Sequence, residues 1–545
     1  MKLKIFISQL VLSVGFGLSC FIFNAAAQDE LCQRSVTATP TPTPVVSPSI
    51  PVKRPAFAVE TLTGLQSRIR TILARPEIRR GQVGVKIISL NSGKVVFEEN
   101  AEKYFIPASN MKNFTVATAL EKLTPDFRFV TSVYASALPD SAGTVKGDLR
   151  IYGRGDVSIS TSFSEGNYYK GLDDLADKIG AAGVKRIEGS VVSDDTYFKG
   201  SPIPGSWEWD DLQWYYGAEV SALPLNDNAV DLTIRPGPVG YTCTVNLSPY
   251  NPVYRVKNLC TTTAAGTTRT LKIVKLLGQN QLEITGALPL GNAGFTGSVT
   301  VSRPAELFAA LLKQRLEQKG VIVTGQYRTS APGFVLPVES VESVEIARLE
   351  SPPLSLIAAK TMKPSQNMYT ETLLWTLGEE ERKRIDAPTT SPSTPNIPRD
   401  SSELGIGVVK AFLTSIAVAP EGIIQHDGSG LSRHNLITPN AVVQLYTYMA
   451  KQSKYSQEWR NSLTIGGVDG TLANRFKGTA AAGNIRGKTG TIDQVSALSG
   501  YITTAGGEQL VLSIVVNGVN VTRERTALID EIAVSLANFN GKIDQ

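Results

Sequence analysis

Apolar residues recur every three or four positions over residues 61–75, which is the spacing of one face of an amphipathic helix. Pro76 follows and ends that pattern. Residues 83–90 form a mostly apolar run that predicts a buried strand. Residues 91–93 read Asn-Ser-Gly, which is typical of a tight turn, and residues 94–98 then predict a returning strand. The apolar face of the predicted helix comprises Leu62, Leu65, Ile69, Ile72 and Leu73.

The C-terminal end of the chain shows a related pattern of strands and a helix. Residues 485–491, 495–503 and 509–517 are three strand-like runs joined by short turns. Residues 524–539 predict a closing amphipathic helix. We therefore expect both ends of the chain to build one antiparallel sheet that helices cover. The apolar side of the closing helix comprises Leu528, Ile529, Ile532, Leu536 and Phe539.

The middle of the chain, residues 125–350, is rich in strand-like segments. One clear helix is predicted there, over residues 305–319, between a proline and a glycine. We therefore predict an α+β, multidomain fold. Residues 58–124 and 351–545 would form one domain, and residues 125–350 a β-rich insertion with two subdomains. The predicted strands of the insertion are residues 129–135, 144–152, 229–235, 270–276, 281–285 and 321–328.

Three further segments are expected to lie outside the packed core. Residues 1–27 resemble a secretory signal, with Lys2 and Lys4 before an apolar run and three alanines at its end. An uncleaved membrane anchor is the alternative, and the apolar run is near the lower length limit for crossing a membrane. Residues 28–57 are rich in proline and threonine and predict an extended tether. Residues 387–398, also rich in proline, predict an exposed loop.

Composition and charge narrow the classes of function. The 545 residues are 42% hydrophobic and 19% charged, which is typical of folded globular proteins. The net charge of +5 is small for this length, so we expect no nucleic-acid partner. Cys243 and Cys260 are predicted to form a disulfide in an exported chain, with two buried thiols as the alternative. The two histidines, His426 and His434, lie far from any cysteine pair, so we expect no metal site and no other cofactor.

A serine and a lysine three residues apart, Ser109 and Lys112, stand at the start of a run that predicts a helix. The backbone N–H at a helix start has no partner within the helix, and the positive end of the helix favours an anion there. Side chains at this spacing lie on one helix face, so the Lys112 amine can reach the Ser109 hydroxyl. A lysine among apolar walls and other cations can lose its proton near neutral pH. The pair therefore predicts a serine nucleophile with a lysine base.

A second candidate pair, Ser365 and Asn367, precedes a predicted helix over residues 368–377. The Ser365 hydroxyl can relay a proton. The Asn367 amide offers a donor and an acceptor, which suits both a substrate peptide bond and the lysine. Gln366, between them, is expected to point away from the site.

A third motif, Lys488-Thr489-Gly490-Thr491, lies on a predicted strand near the C-terminus. Lys488 and Thr489 can bind a terminal carboxylate, and Gly490 is expected to leave room for a ligand against the strand. The Thr491 N–H can pair with the Ser109 N–H as an oxyanion hole. Each motif alone is a weak signal. Their order and their helix, helix and strand contexts together favour a functional site.

In this order the motifs are similar to those of class C low-molecular-mass penicillin-binding proteins, the D-alanyl-D-alanine carboxypeptidases and endopeptidases of the penicillin-binding protein 4 type. In that family a long insertion separates the first two motifs, as residues 125–350 do here. The resemblance covers the chain from about residue 60 to its end. It implies a β-lactamase/transpeptidase-like domain, an antiparallel sheet flanked by helices, that carries the β-rich insertion. Further similar segments are residues 153–156, 207–211, 427–433 and 467–472.

The resemblance implies a role for each residue of the first two motifs. Ser109 would attack the substrate carbonyl and form an acyl-enzyme, and Lys112 would take its proton. Ser365 would relay the proton to the leaving D-Ala amine. Asn367 would hold the substrate amide.

The resemblance assigns substrate recognition to the third motif and to the insertion. Lys488 and Thr489 would bind the D-Ala carboxylate. Asp156 is expected to approach the site and read the substrate side chain, with a turn residue as the alternative. Residues 427–433 carry glycine at two turn positions and are expected to form a structural loop near the site, with direct participation in the chemistry as the alternative. Residues 379–381, a run of glutamates, are expected to be a solvated helical face and not a deacylating base.

These features imply a penicillin-sensitive serine D-Ala-D-Ala carboxypeptidase or D,D-endopeptidase. Its partners would be peptidoglycan peptides and β-lactams, and its location the periplasm or the cell-wall space. Peripheral association with the membrane or the wall stays open. A serine β-lactamase or esterase is an alternative that shares the nucleophile, but the long insertion argues against it. A non-catalytic wall-binding protein is a second alternative, against which the complete motif set argues.

Overall fold

The computed structural model describes residues 59–330, 343–385 and 400–543. The predicted secretory signal, tether and proline-rich loop lie outside these ranges, so their interpretation stays a prediction. The helices of the described residues are α1 (Leu62–Leu73), α2 (Lys112–Leu123), α3 (Lys170–Ala181), α4 (Pro304–Gln318), α5 (Leu354–Met362), α6 (Asn367–Ile385), α7 (Ser401–Ser415), α8 (Pro439–Lys451), α9 (Ser456–Ser462) and α10 (Thr522–Asn538).

The strands fall into seven sheets within the same ranges. They are β1 (Gln82–Ser89), β2 (Val95–Glu99), β3 (Val130–Ala135), β4 (Thr144–Lys146), β5 (Leu149–Tyr152), β6 (Arg186–Glu188), β7 (Val191–Asp194), β8 (Ala229–Arg235), β9 (Thr244–Ser248), β10 (Arg255–Asn258), β11 (Thr261–Thr263), β12 (Lys272–Lys275), β13 (Gln281–Thr285), β14 (Ala287–Pro289), β15 (Phe295–Thr300), β16 (Ile322–Val323), β17 (Tyr327–Thr329), β18 (Val344–Glu350), β19 (Ile423–Ile424), β20 (Leu436–Ile437), β21 (Thr464–Ile465), β22 (Arg486–Ile492), β23 (Val495–Thr503) and β24 (Gln509–Asn517).

The largest sheet joins the two ends of the chain, in the order β2-β1-β24-β23-β22-β21. All its neighbouring strands are antiparallel. β1 pairs with β24 along its whole length, with Val85 opposite Ile514, and β1 and β2 form the predicted hairpin. The prediction of one antiparallel sheet built from both ends is therefore confirmed.

Helices cover both faces of this sheet. Successive residues of a strand point to opposite faces, so β24 contributes to two cores. Leu512 and Ile514 pack with α1 and α10 on one side. Val511 and Val515 pack with α2, α6 and α8 on the other. The sheet is thus the middle layer of three, and its second core lies beneath the helices that carry the candidate motifs.

The buried helix α6 owes its position to two glycines. A side chain on Gly378 would lie 2.0 Å from the Ser401 carbonyl oxygen, and one on Gly405 would lie 2.0 Å from the Leu374 carbonyl oxygen. The backbones of α6 and α7 can therefore approach each other closely. All residues from Asn367 to Glu379 are buried as a result, and the N-terminal end of α6 is fixed deep in the fold.

Residues 125–350 form five smaller sheets, the largest in the order β17-β7-β5-β3-β18. The predicted strands over residues 144–152 and 321–328 are each two short strands, because a glycine interrupts them. Gly147 has φ +93°, which turns the chain between β4 and β5. A side chain on Gly325 would lie 2.4 Å from the Gly189 carbonyl oxygen, so the chain passes close to another backbone there.

The helix α3 was not among the elements predicted for the insertion. Its apolar residues recur at helical spacing and are buried, but serine, glycine and tyrosine residues before it give no clear start signal. The predicted helix over residues 305–319 is present as α4. The buried residues of α3 are Leu172, Leu175, Ala176 and Ile179.

The insertion contains the disulfide between Cys243 and Cys260, whose Cα atoms lie 5.4 Å apart. The predicted pairing is confirmed. No helix within the described ranges is long and apolar enough to cross a membrane. The domain boundaries near residues 124 and 350 stay predictions.

Candidate active site

Ser109 lies in a short 3₁₀ turn that leads directly into α2. The turn packs on β22, where the Asn110 side-chain amide donates to the Lys488 carbonyl oxygen at 3.1 Å. A side chain on Gly490 would lie 2.5 Å from the carbonyl oxygen of Pro107, the residue that precedes this turn. The turn therefore fills the space beside Gly490, and the prediction that this glycine leaves room for a ligand is wrong. Its absent side chain instead lets the strand hold Ser109 in place.

The Lys112 amine connects the first two motifs. Its Nζ lies 3.1 Å from Ser109 Oγ, 2.6 Å from Asn367 Oδ1 and 2.7 Å from the Ser429 carbonyl oxygen. The side chain is fully buried. Burial lowers the pKa of Lys112 from 10.5 to about 7, although two nearby carboxylates act in the opposite direction. A substantial fraction of Lys112 is therefore neutral at physiological pH, as a base must be.

A second serine and lysine pair lies beside the first. Lys488 Nζ donates to Ser365 Oγ at 2.9 Å and to the Thr489 carbonyl oxygen at 2.9 Å. Lys488 is also fully buried. Burial, with a smaller effect from the charge of Lys112, holds the pKa of Lys488 well below its usual range. Two buried lysines thus share one site, and each contacts one serine hydroxyl.

Asn367 is the first residue of α6 and bridges Lys112 to the insertion. Its Oδ1 accepts the hydrogen bond from Lys112, and its Nδ2 donates to the Tyr216 carbonyl oxygen at 2.9 Å. Ser365, two residues earlier, has φ +67°, a left-handed conformation that a serine rarely adopts. This backbone turn places Ser365 and Asn367 on the same site before α6 begins.

The predicted recognition residues divide between the site and its surroundings. Thr489 and Thr491 follow Lys488 on β22, and Thr489 Oγ1 donates to Thr471 Oγ1 at 2.7 Å.

Asp156 lies in the insertion and is almost completely buried. Its Oδ1 accepts from the backbone N–H and the hydroxyl of Ser158, while its Oδ2 has no hydrogen-bond partner among the described residues. Burial raises the pKa of Asp156 to about 6.

The loop between β19 and β20 closes the site on the side of Lys112. Asp427 organises it: Oδ1 accepts from the Gly430 N–H and the Asn435 amide, each at 2.7 Å. Its Oδ2 accepts from the Ser432 N–H at 2.7 Å and from the Trp207 indole N–H at 2.9 Å. The predicted structural loop is therefore present, and it also supplies the Ser429 carbonyl oxygen to Lys112.

Three contributors to the site were not predicted. Glu371 is fully buried on α6, and Tyr216 and Thr471 contact the predicted residues Asn367 and Thr489. Residues four apart lie on one face of a helix, so the spacing of Asn367 and Glu371 was a usable signal. No comparable signal was present for Tyr216, whose backbone oxygen makes the contact. Any residue type could provide that oxygen.

A family model described as the D-Ala-D-Ala carboxypeptidase 3 (S13) family matches residues 65–539. The chain belongs to this family. A D-alanyl-D-alanine carboxypeptidase from Actinomadura sp. (strain R39) is 34% identical over 491 residues, which cover 88% of this chain and 86% of that protein. The D-alanyl-D-alanine carboxypeptidase DacB of Haemophilus influenzae is 24% identical over 476 residues, which cover 86% of this chain and 91% of that protein.

The fold of this S13 peptidase is also similar to solved structures. The crystal structure of penicillin-binding protein 4 (dacB) from Haemophilus influenzae matches with a TM-score of 0.73 and 22% identity, covering 87% of this chain and 99% of that one. A structure of the same protein complexed with a novel β-lactam matches with a TM-score of 0.67 and 22% identity, covering 86% and 98%. The predicted fold class and family resemblance are confirmed.

Gln366, between Ser365 and Asn367, links the site of this S13 peptidase to the insertion. Gln366 Nε2 donates to Asp227 Oδ2 at 3.0 Å, so its side chain points away from Ser365 and Asn367 as predicted. Asp227 also accepts from Tyr369 and Ser160. The Asp227 carboxylate therefore anchors the start of α6.

The glutamates at residues 379–381 differ from the predicted solvated face. Glu379 is 95% buried and accepts from Ser401 Oγ and from Arg382. The close approach of α6 and α7 explains its burial. Glu380 and Glu381 remain partly exposed and pair with the basic residues three positions later. None of the three hydrogen-bonds to Ser109 or Lys112.

Proposed function

We propose that this S13 peptidase is a serine-type D-Ala-D-Ala carboxypeptidase of peptidoglycan stem peptides, that it works through an acyl-enzyme on Ser109, and that penicillins acylate the same serine. The observation that carries the proposal is the contact of Ser109 Oγ with the buried Lys112 amine at 3.1 Å. D,D-endopeptidase activity is part of the proposal. Cleavage of a cross-link at the carbonyl of a D-Ala residue uses the same acyl chemistry.

Acylation begins when neutral Lys112 takes the proton of the Ser109 hydroxyl. The Ser109 oxygen attacks the carbonyl carbon of the penultimate D-Ala, and the oxyanion that forms accepts from the backbone N–H groups of Ser109 and Thr491. The C–N bond then breaks. Ser365 gives its proton to the leaving D-Ala amine and is reprotonated through the lysines, which carry the proton first taken from Ser109.

The terminal carboxylate of the substrate binds beside Lys488 and Thr489. An anion next to a buried lysine stabilises its protonated form, so substrate binding raises the lowered pKa of Lys488. The hydrogen bond from Thr489 Oγ1 to Thr471 Oγ1 fixes the position of the Thr489 side chain next to Lys488 on β22. Because Lys488 is then positively charged, it also favours the neutral form of Lys112, which is the form that acts as base.

Deacylation reverses the same proton transfers. A water molecule attacks the acyl carbonyl, Lys112 takes its proton, and the ester bond to Ser109 breaks. The proton returns to the Ser109 oxygen as the shortened peptide leaves with a new carboxylate. Since the described residues place no glutamate against Ser109, we expect slow hydrolysis of penicilloyl esters, and hence a penicillin target in preference to a lactamase.

Asp156 is proposed to read the side chain of the stem peptide. Its Oδ2 is buried without a partner, a costly arrangement for a carboxyl group that a ligand's donor would relieve. Export to the periplasm or the cell-wall space is proposed from residues 1–27, and β-lactams and peptidoglycan peptides are the proposed ligands. These assignments rest on the sequence resemblance together with the site geometry.

The proposal is tested with two substrates and two serine variants. Purified protein should release D-Ala from a pentapeptide stem, and a cross-linked dimer reports endopeptidase activity. Ser109→Ala should abolish both activities. Ser298→Ala, on β15 and bonded to Asp231 far along the insertion, should retain them. Folded protein that binds peptidoglycan but releases no D-Ala would support a wall-binding role instead, and fast turnover of a chromogenic β-lactam would support a β-lactamase.

A further inference from the structure

The fully buried carboxylate of Glu371 has no part in the chemistry described above. Glu371 lies on α6, four residues after Asn367. Its Oε1 accepts from the Ser429 N–H at 2.7 Å, and its Oε2 accepts from the Gly428 N–H at 2.9 Å. Two successive backbone donors thus bind the two oxygens of one carboxylate. Burying a carboxylate is costly, and charge-assisted bonds of this kind are what offset that cost.

The peptide held by Glu371 is the one that contacts the base. The carbonyl oxygen of Ser429 accepts from Lys112 Nζ at 2.7 Å, while the N–H of the same residue binds Glu371. A shift of the loop on α6 would therefore move an acceptor of Lys112. It would do so without touching Ser109.

Glycines on both sides of Ser429 allow this close packing. A side chain on Gly428 would lie 3.1 Å from the Thr370 carbonyl oxygen of α6. Gly430 has φ +83°, and a side chain there would lie 1.8 Å from the Ala108 carbonyl oxygen in the turn that holds the nucleophile. The loop is thus packed between α6 and the Ser109 turn, and Glu371 fixes it from the α6 side.

We propose that Glu371 is a positioning residue for acyl transfer: by binding the Gly428 and Ser429 N–H groups, it sets the Ser429 carbonyl oxygen that orients Lys112. This inference rests on the proposed function, because it assigns Glu371 to the step in which Lys112 acts.

The groups around Lys112 determine the expected effect on pH dependence. Asp427 in the loop and Glu371 on α6 favour the protonated amine, and Lys488 on β22 disfavours it. Burial and the Asp427 charge raise the pKa of Glu371 to about 8. With this pKa, Glu371 is largely uncharged where Lys112 titrates, so its effect on Lys112 comes from the loop that it holds. The Ser429 carbonyl oxygen accepts from Lys112 Nζ and so stabilises the ammonium. When the loop shifts, the pKa of Lys112 should fall, and the acid limb of the acylation profile, the range in which the rate rises with pH, should move to lower pH.

The experiment measures the rate constant for acylation by a fluorescent penicillin across pH for wild type, Glu371→Gln, Glu371→Asp and Glu379→Gln. In Glu371→Gln the NH2 group of the side-chain amide, a donor, faces a backbone N–H, which is also a donor, so the loop should shift. We expect the plateau rate to fall about 100-fold, the scale for misplacing a catalytic group by about 1 Å. The acid limb should also move to lower pH. Glu371→Asp keeps a carboxyl group but cannot reach both N–H groups, so we expect a smaller plateau loss and a smaller movement of the limb than in Glu371→Gln.

Glu379→Gln is the matched control. Glu379 is also a buried glutamate of α6, but it binds Ser401 and Arg382 and not the loop. This variant should keep the wild-type plateau and acid limb, whatever its melting temperature. Glu371→Gln that reproduces the wild-type plateau and limb would overturn the proposal.

Two other results would also overturn the proposal. One is failure of both Glu371 variants to fold while Glu379→Gln folds, which would assign Glu371 to folding. The other is a plateau loss with no movement of the limb in Glu371→Gln, which would leave a structural role only. Absence of labelling in the wild type would instead contradict the proposed function itself.

Discussion

The fully buried Lys112 amine lies 3.1 Å from Ser109 Oγ, so the protonation of this lysine controls the nucleophile. Burial lowers the pKa of Lys112 to about 7, and only the neutral amine can accept the serine proton. The acylation rate should therefore rise with pH up to about 7 and then level off. The measurement is the rate constant for labelling by a fluorescent penicillin from about pH 5 to about pH 9. A flat profile over that range would contradict the assignment of Lys112 as the base.

Ser365 offers a second test, because Lys488 donates to its hydroxyl at 2.9 Å. Ser365→Ala removes the proposed donor to the leaving amine but leaves the Lys488 side chain in place. We expect kcat for D-Ala release to fall about 10²- to 10⁴-fold, the usual contribution of a general acid, with a smaller change in KM. Ser298→Ala is the control. A kcat within a factor of about two of wild type would remove Ser365 from the proton pathway.

Asp227 should link the stability of the insertion to the activity of the site. Asp227→Ala removes the acceptor of Gln366 and one acceptor each of Tyr369 and Ser160, which still bond to each other. Each such loss costs about 1–3 kcal/mol, so unfolding in urea should report at least about 2 kcal/mol of destabilisation. Because Gln366 lies between Ser365 and Asn367, acylation should slow as well.

The matched control for this prediction is Asp231→Ala. Asp231 is exposed and bonds to Ser298 on the neighbouring strand β15. A destabilisation within about 0.5 kcal/mol of zero is expected there, as for most surface substitutions. Equal effects of the two substitutions would show that the insertion does not anchor α6 through Asp227.

The disulfide should stabilise the insertion without contributing to the chemistry. Cys243 and Cys260 are separated by 17 residues, and closing a loop of about that length stabilises a folded protein by about 3 kcal/mol. The double variant Cys243→Ser/Cys260→Ser should therefore melt at a lower temperature. Its acylation rate, measured well below that temperature, should equal that of wild type. A folded double variant with much slower acylation would show that the disulfide also helps to hold the active site in place.

The catalytic motifs could be predicted because each is local in sequence. Ser109 and Lys112 lie one helical turn apart, and the strand and helix patterns around them predicted the sheet that joins both ends of the chain. The neighbouring strands β23 and β24 match the predicted ranges, because their long apolar runs are bounded by clear turns.

The remaining features depend on contacts between distant residues, and the sequence carries little trace of these. Gly490 faces the turn that holds Ser109, a contact that spacing could not reveal. Glu379 looked like part of a charged surface because the burial of α6 depends on Gly378 and Gly405, which lie on different helices. The backbone oxygens of Tyr216 and Ser429 serve the site through their positions and not through their residue types.

The most direct test of Ser109 as the nucleophile is to locate the covalent adduct after treatment with penicillin. Purified wild type, Ser109→Ala and Lys112→Ala would be incubated with a fluorescent penicillin, digested, and analysed by mass spectrometry. We predict one stable adduct on the wild-type peptide that contains Ser109, none on Ser109→Ala, and strongly reduced labelling of Lys112→Ala. An adduct on any other residue, or undiminished labelling of Ser109→Ala, would contradict the assignment of Ser109 as the nucleophile.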